Sequence, residues 1–326
     1  MAQYTVYITR KIWEDLRRHL EQVGNVIAWD EDRVVPRAEL LTRIHEADAL
    51  LCTDDDRVDR AVLDAAPHLK VISTMSAGVE HIDVATAVAR GIIVCYTPGA
   101  TDEAIADMTM ALLLACARNI VDADAFVKQH AWTTLTADQF IGADVQGSTL
   151  AIIGLGQVGL QVAHRGQGFG MRVLYYDPRR NIDAEERLGV QYGSLDDILR
   201  EADFVTLHVP LTAVTAGLIT EERLRLMKPT AYLINSAHAE VVNHDALVRA
   251  LREGWIAGAG LDVFAQEPIG WDDPLLGLPN LILSPHIGAH TYESRETMMR
   301  MATQQIIDVL EGRKPLHSVH FPDKAA

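Results

Sequence analysis

The stretch Leu150-Ala-Ile-Ile-Gly-Leu-Gly-Gln-Val-Gly159 constrains this chain more than any other. Its first four residues are all apolar and read as a strand buried on both faces, and a glycine follows without a gap. Beyond the glycines, Val158, Val162 and Ala163 recur at helical spacing, so the turn joins a strand to a helix. Gly154 permits the tight turn, Gly156 lets backbone approach a pyrophosphate, and Gly159 lets the helix pack close to the strand. The helix start at Gln157 and Val158 offers unpaired N–H groups and the positive end of a dipole to phosphate. A second strand, Val173–Tyr176, ends on Asp177, 18 residues after Gly159, where dinucleotide folds meet the adenosine ribose. A glycine motif alone is weak, but strand, glycines, helix, strand and terminal acid together point to a dinucleotide. Asp177 would repel a 2′-phosphate and so favours NAD over NADP. Arg179 and Arg180 soften that preference if they reach the cofactor, and are ordinary solvated arginines if they do not.

At 326 residues the chain exceeds one ordinary core, and two domains are expected. Its 48% hydrophobic and 23% charged content are those of a soluble globular protein. A net charge of −16 with no Lys/Arg-rich run argues against nucleic acid or an anionic membrane as partner. The N-terminus, Met1–Thr9, reads as a short strand rather than a signal peptide, and no apolar run approaches the ~20 residues that span a bilayer. Cys52, Cys95 and Cys116 are scattered among apolar residues with no metal-ligand spacing. They are expected to be buried, reduced thiols in a cytoplasmic protein without a metal.

Short apolar strands are readable at Val6–Ile8, Val26–Trp29, Ala49–Cys52, Val71–Thr74 and Ile92–Cys95, with helical patterns between them. Gly24 and Gly91 stand where helix C-caps are expected. Strands alternating with helices imply a doubly wound parallel sheet. From Leu150 a second such sheet continues through Phe204–Leu207, Tyr232–Ile234, Ala257–Leu261 and Leu281–Leu283. The fold class is therefore α/β with two parallel-sheet domains, 1–98 plus 291–326 and 99–290. Glu103–Arg118 is a helix apolar around much of its circumference, which calls for burial on more than one face, by a second subunit or as a helix crossing between the two domains. Lys128–Gly147 reads as an arm or long loop, and Thr291–Glu311 as a last long helix.

In an open α/β sheet the ligand lies at the C-terminal strand ends. Four segments end there: His208–Thr212, Asn235–His238, Asp262–Pro268 and Ser284–Gly288. Hydride transfer to a carbonyl needs a proton donor and a group that tunes it. His286, at a strand end, is the best donor among 13 histidines, and Glu267, after the neighbouring strand, would favour its protonated form.

Over nearly its whole length the chain resembles the D-isomer-specific 2-hydroxyacid dehydrogenase family. The matching stretches are Ser76-Ala-Gly-Val-Glu-His-Ile-Asp83, Ile105–Arg118, Gly154-Leu-Gly-Gln-Val-Gly159 and Leu207-His-Val-Pro-Leu-Thr212. They continue with Leu233-Ile-Asn235, Gly260-Leu-Asp-Val-Phe264 through Glu267-Pro268, and Ser284-Pro-His-Ile-Gly288. The resemblance implies a flavodoxin-like substrate domain beside a Rossmann NAD-binding domain. It makes His286 the general acid/base with Glu267 as its partner, and gives the substrate carboxylate to the Ala77-Gly78-Val79 backbone. Asp262 would hold the nicotinamide carboxamide. Thr109, Val209, Pro210, Thr215, Ser236, Ala237 and Gly288 would line the cofactor with the glycine loop. The family usually dimerises through the helix matching Glu103–Arg118 and the following arm, so a homodimer is expected.

One departure stands out. Where the family reads Asn-x-x-Arg-Gly, with the arginine clamping the substrate, this chain reads Asn235-Ser-Ala-His238-Ala239. Histidine lacks the permanent charge and the bidentate fork of arginine. A weak enzyme, an unusual substrate and a protein that binds NAD(H) without turnover all fit that change. The leading reading is an NAD-dependent reductase of small 2-oxo acids such as glyoxylate or hydroxypyruvate, giving the D-hydroxy acid. The rival is a regulatory or redox-sensing NAD(H)-binding protein of the same fold.

Overall fold

The computed structural model describes residues 4–31 and 33–319. Met1–Gln3 of the expected first strand and residues 320–326 of the expected first domain lie outside them. The chain divides into two compact units, one taking the described residues up to Thr101 and from Thr291 onward, the other Asp102–His290.

The first unit alternates Tyr4–Ile8 (β1), Glu14–Glu21 (α1), Gly24–Ala28 (β2), Arg37–Arg43 (α2), Ala49–Cys52 (β3), Arg60–Asp64 (α3), Val71–Thr74 (β4), Val84–Ala89 (α4) and Ile93–Cys95 (β5). The strands pair in parallel in the order β2-β1-β3-β4-β5, the flavodoxin-like order. Successive side chains go to opposite faces of β1. Val6 and Ile8 join a core with Leu16 and Leu20 of α1, and Tyr7 joins the other with Leu40 and Val62. Gly91 closes α4 with φ +75° and its N–H on Val88 O at 2.9 Å, as a C-cap glycine should. Gly24 does not cap a helix. It opens β2, where a Cβ would overlap Tyr4 O of the paired strand, and Gln22 is the cap of α1. Close strand contact, not a left-handed turn, requires glycine at that position.

The second unit begins with Asp102–Ala117 (α5) and Ile120–Lys128 (α6) and continues with Thr149–Ile153 (β6), Gln157–Gly168 (α7), Arg172–Tyr176 (β7), Ile182–Leu188 (α8) and Gln191–Tyr192 (β8). Leu195–Glu201 (α9), Phe204–Leu207 (β9), Glu221–Leu226 (α10), Tyr232–Asn235 (β10), His244–Arg252 (α11), Gly258–Leu261 (β11) and Leu281–Leu283 (β12) complete it. Its parallel sheet runs β12-β11-β10-β9-β6-β7-β8, a Rossmann order with one strand added, and the switch point falls between β6 and β9. Leu150 and Ile152 of β6 enter one core and Ala151 and Ile153 the other, as an apolar run buried on both faces must. Tyr292–Leu310 (α12) belongs to the first unit, where it packs chiefly on β4 and β3, and Met299, Ala302 and Ile306 share a core with Val71 and Leu51.

The apolar circumference of α5 is largely accounted for inside its own unit. Met110, Leu112, Leu113 and Cys116 join the core of β6 and β10, and a Cβ on Gly260 would stand 3.1 Å from Leu112 Cβ. The sequence pattern marks neither α6 nor β8. Ile120, Val121 and Val127 of α6 are exposed, and β8 is two exposed residues on the sheet edge, so neither shows a buried stripe. No single helix among the described residues is long and apolar enough to cross a membrane. All three cysteines are free and buried.

Candidate active site

Gly154 turns the chain out of β6 with φ +96°, and a Cβ there would lie 2.8 Å from the His208 carbonyl. At Gly159 a Cβ would overlap Gly154 O, so only glycine lets α7 come this close. Gly156 faces open space, with nothing within 4 Å of the position its Cβ would take. The result is a helix N-terminus with room before it, the arrangement that holds a pyrophosphate. Asp177, at the end of β7, closes the far side. Its Oδ2 accepts Leu155 N–H at 3.1 Å and its Oδ1 accepts Arg179 N–H at 2.9 Å. These residues fit a dinucleotide.

Beyond the glycine loop, Thr109 Oγ1 of α5 stands 2.6 Å from Ser236 Oγ, just past β10. Asn235 is buried and folds its side chain over the turn that follows. Its Nδ2 donates to His238 O at 2.9 Å and its Oδ1 accepts Ala237 N–H at 3.1 Å. His238 is half-buried with an extended backbone, φ −139°. After β9, Val209 is buried and Pro210 exposed, and Thr215 Oγ1 donates to Pro210 O at 2.5 Å and accepts Thr212 N–H at 2.8 Å. That hydroxyl shapes the 210–215 loop.

The segments after β11 and β12 meet. His286 Nδ1 lies 2.7 Å from Glu267 Oε2, while Glu267 Oε1 accepts Phe264 N–H at 2.9 Å. The carboxylate is therefore aimed by backbone at the imidazole. Asp262, 1% exposed, takes Ser284 Oγ–H at 2.6 Å and Ile287 N–H at 3.0 Å on Oδ1, and Gly288 N–H at 2.7 Å on Oδ2. A Cβ at Gly288 would come 2.9 Å from Asp262 Oδ2. Between these anchors His286 holds φ +52°, a left-handed conformation that costs a non-glycine residue about 1–2 kcal/mol. The buried carboxylate thus clamps the backbone that presents the histidine. The bracing by Asn235 and Ser284 escapes a residue-by-residue reading. An asparagine at a strand end before a tight turn was the available signal for the first.

In the first unit, Ala77, Gly78 and Val79 follow β4. Gly78 N–H donates to Ser76 Oγ at 3.2 Å, and Ser76 O accepts both N–H (2.9 Å) and Oγ–H (3.0 Å) of Thr97. The Glu80 carboxylate is folded against Gly78. His81 Nε2 lies 3.0 Å from Thr74 Oγ1, and burial holds its imidazole below the usual range.

Residues 110–288 match the family model for the NAD-binding domain of D-isomer specific 2-hydroxyacid dehydrogenases. Along 319 residues, 97% of this chain and 96% of the relative, it is 43% identical to a glyoxylate reductase of Thermococcus litoralis. The chain belongs to the D-isomer specific 2-hydroxyacid dehydrogenases. Among solved structures of the family fold, a Thermus thermophilus protein superposes with a TM-score of 0.91 at 42% identity, covering 97% of this chain and 100% of that one. D-lactate dehydrogenase from Aquifex aeolicus, complexed with NAD and lactic acid, gives 0.84 at 30% identity, covering 98% and 100%. The expected fold, family and NAD cofactor are borne out by these comparisons.

His208 sets a testable pH dependence in this dehydrogenase. Both ring nitrogens are buried with no hydrogen-bond partner among the described residues, and burial pushes the imidazole from 6.5 down to about 3. The unfolded chain therefore binds one more proton as pH falls through that window. Stability should be greatest above pH 6.5 and drop by about 1.4 kcal/mol per pH unit below it. Denaturant melts from pH 6.5 down to about pH 5, above the carboxylate range, should show this slope, and His208→Gln should flatten it. Equal slopes in the two proteins would assign the effect elsewhere.

Proposed function

We propose that this dehydrogenase reduces a small 2-oxo acid of the glyoxylate or hydroxypyruvate class to the D-2-hydroxy acid. The observation that carries the reading is the His286–Glu267 contact of 2.7 Å, on a backbone clamped by Asp262. A protein that only bound cofactor would have no use for it. When bound, NADH supplies the hydride. Gly154, Gly156 and Gly159, with the N–H groups of Gln157 and Val158, hold the pyrophosphate, and Asp177 accepts the ribose hydroxyls. Thr109, Ser236, Ala237, Asp262 and Gly288 line the nicotinamide end, and Val209, Pro210 and Thr215 the adenosine end. The Ala77-Gly78-Val79 backbone takes the substrate carboxylate, with His238 as a further donor. Glu267 would orient Nδ1–H, so that His286 could deliver its proton to the substrate's carbonyl oxygen from Nε2.

The test is a spectrophotometric assay of NADH oxidation with glyoxylate, hydroxypyruvate, pyruvate and longer 2-oxo acids, followed by chiral analysis of the product. Turnover of a small 2-oxo acid to the D-product supports the reading; NADH binding with no turnover on any of them overturns it. That second outcome would favour the NAD(H)-binding regulatory reading, which His238 at the arginine's place supports.

His238→Arg offers a sharper check. Arginine carries a permanent charge and a bidentate fork of donors that histidine lacks. The arginine variant is expected to raise kcat/KM for glyoxylate by about 10-fold, near 1.4 kcal/mol, chiefly by lowering KM. Equal or poorer activity on every 2-oxo acid tried would mean that His238 serves another purpose.

The same reading includes a homodimer formed through the α5 region and the arm after it. Ile120, Val121 and Val127 of α6 are exposed, as are Trp132 (61%) and Ile141 (70%) of the arm, a run of apolar surface that a second copy would cover. Three free, buried thiols agree with a reducing cytoplasmic setting.

A further inference from the structure

We propose that Glu185 enforces the preference for NAD over NADP by holding Arg180 away from the ribose end of the cofactor site. The inference rests on the cofactor part of the reading above and not on turnover. In a Rossmann domain an arginine just after the second strand is the group that accommodates a 2′-phosphate. This chain has two arginines there, Arg179 and Arg180, after the acid Asp177. The structure treats them differently.

Arg180 is engaged at both ends of its fork. Its Nε donates to Glu185 Oε1 at 2.8 Å and its Nη2 to Glu185 Oε2 at 2.7 Å, a bidentate pair with α8. Its guanidinium also lies 5.8 Å from the Tyr192 ring centroid on the edge strand β8. This is more than a loose surface pair, because Glu185 is itself anchored from below. The hydroxyl of the buried Tyr175 donates to Glu185 Oε1 at 2.8 Å and accepts Asn181 N–H at 2.8 Å. Asn181 in turn caps α8 through Ala184 N–H at 3.0 Å. Glu185 is 17% exposed and Arg180 60%, so the arginine is drawn to a fixed carboxylate. Arg180 and the Tyr175 hydroxyl hold that carboxyl at about 2, so it stays charged throughout the working pH range. Arg179, by contrast, uses its N–H on Asp177 Oδ1, and its guanidinium has no ion-pair partner among the described residues. A 2′-phosphate would thus meet the Asp177 carboxylate with Arg179 alone to offset it.

Glu185 is on this account a positioning residue that acts through Arg180, and its readout is binding. NADH and NADPH are titrated by fluorescence against the intact chain, Glu185→Gln, Glu185→Ala and the double variant Glu185→Ala/Arg180→Leu, with thermal melts to confirm folding. Glu185→Gln removes the charge but leaves a partner for Tyr175, which guards against misfolding of the alanine variant. Releasing Arg180 should tighten NADPH by about 10-fold at low salt, less at high salt, with NADH unchanged. The double variant should lose that gain. Unchanged NADPH affinity in a folded Glu185 variant overturns the proposal. A gain that survives Arg180→Leu overturns it too, since simple loss of a nearby negative charge would then be the cause.

Discussion

Replacing His286 by alanine is expected to lower kcat for 2-oxo acid reduction by about 10²–10⁴-fold while leaving NADH affinity close to that of the parent protein. The imidazole is held by a carboxylate that is itself fixed. Glu267 Oε2 meets Nδ1 at 2.7 Å, and Phe264 N–H fixes the other carboxylate oxygen at 2.9 Å. Those two hydrogen bonds involve neither the glycine loop nor Asp177, so cofactor affinity and proton delivery should separate cleanly. Glu267→Gln keeps a hydrogen-bonding group of the same size but removes the charge that favours the imidazolium. It should cost less than His286→Ala and move the alkaline limb of the reduction profile to lower pH. Steady-state kinetics with NADH titration checks both. A His286→Ala protein that turns over at the parent rate would remove this residue from the mechanism.

Asp262→Ala is expected to be nearly as severe, for a different reason. Its carboxylate is buried and satisfies Ser284 Oγ–H, Ile287 N–H and Gly288 N–H. A buried donor left without a partner costs about 1–3 kcal/mol, so losing this acceptor should destabilise the second unit by roughly 3 kcal/mol or more. The two backbone donors directly follow a histidine at φ +52°, and without them the left-handed turn can relax. A fall in kcat of about 10²-fold is expected at temperatures where the variant is still folded. Asp262→Asn keeps one acceptor and should lie between. Denaturant melts measure the first effect and kinetics below the transition the second. A destabilised variant with an intact kcat would show that the clamp supports the fold but does not position His286.

Much of this protein could be read in advance because the information is local. The run from Leu150 to Gly159 sets strand, turn and helix by its own periodicity and by two glycines whose Cβ atoms would strike the His208 carbonyl and Gly154 O. Parallel strands buried on both faces announce themselves as unbroken apolar runs, which is why β3, β4, β6 and β9 were legible almost to the residue. Gly24 misled for the complementary reason. A glycine after a helical pattern looks like a cap, and the demand on it comes from Tyr4 O on another strand. Likewise α6 and β8 carry no buried stripe of their own.

The sequence by itself therefore determined the α/β class, the two parallel sheets, the dinucleotide signature and which polar segments follow the strand ends. Only the tertiary structure decided which of those strand-end groups meet. Asp262 looks in sequence like one more polar residue lining the cofactor, and the fold turns its carboxylate onto the backbone around His286. Arg179 and Arg180 are adjacent and chemically identical, yet one is taken by Glu185 and the other is not. The physical reason is common to both cases. Periodicity and turn chemistry act over a few residues, whereas a hydrogen bond or ion pair depends on which strands lie side by side and on which way each side chain leaves its element.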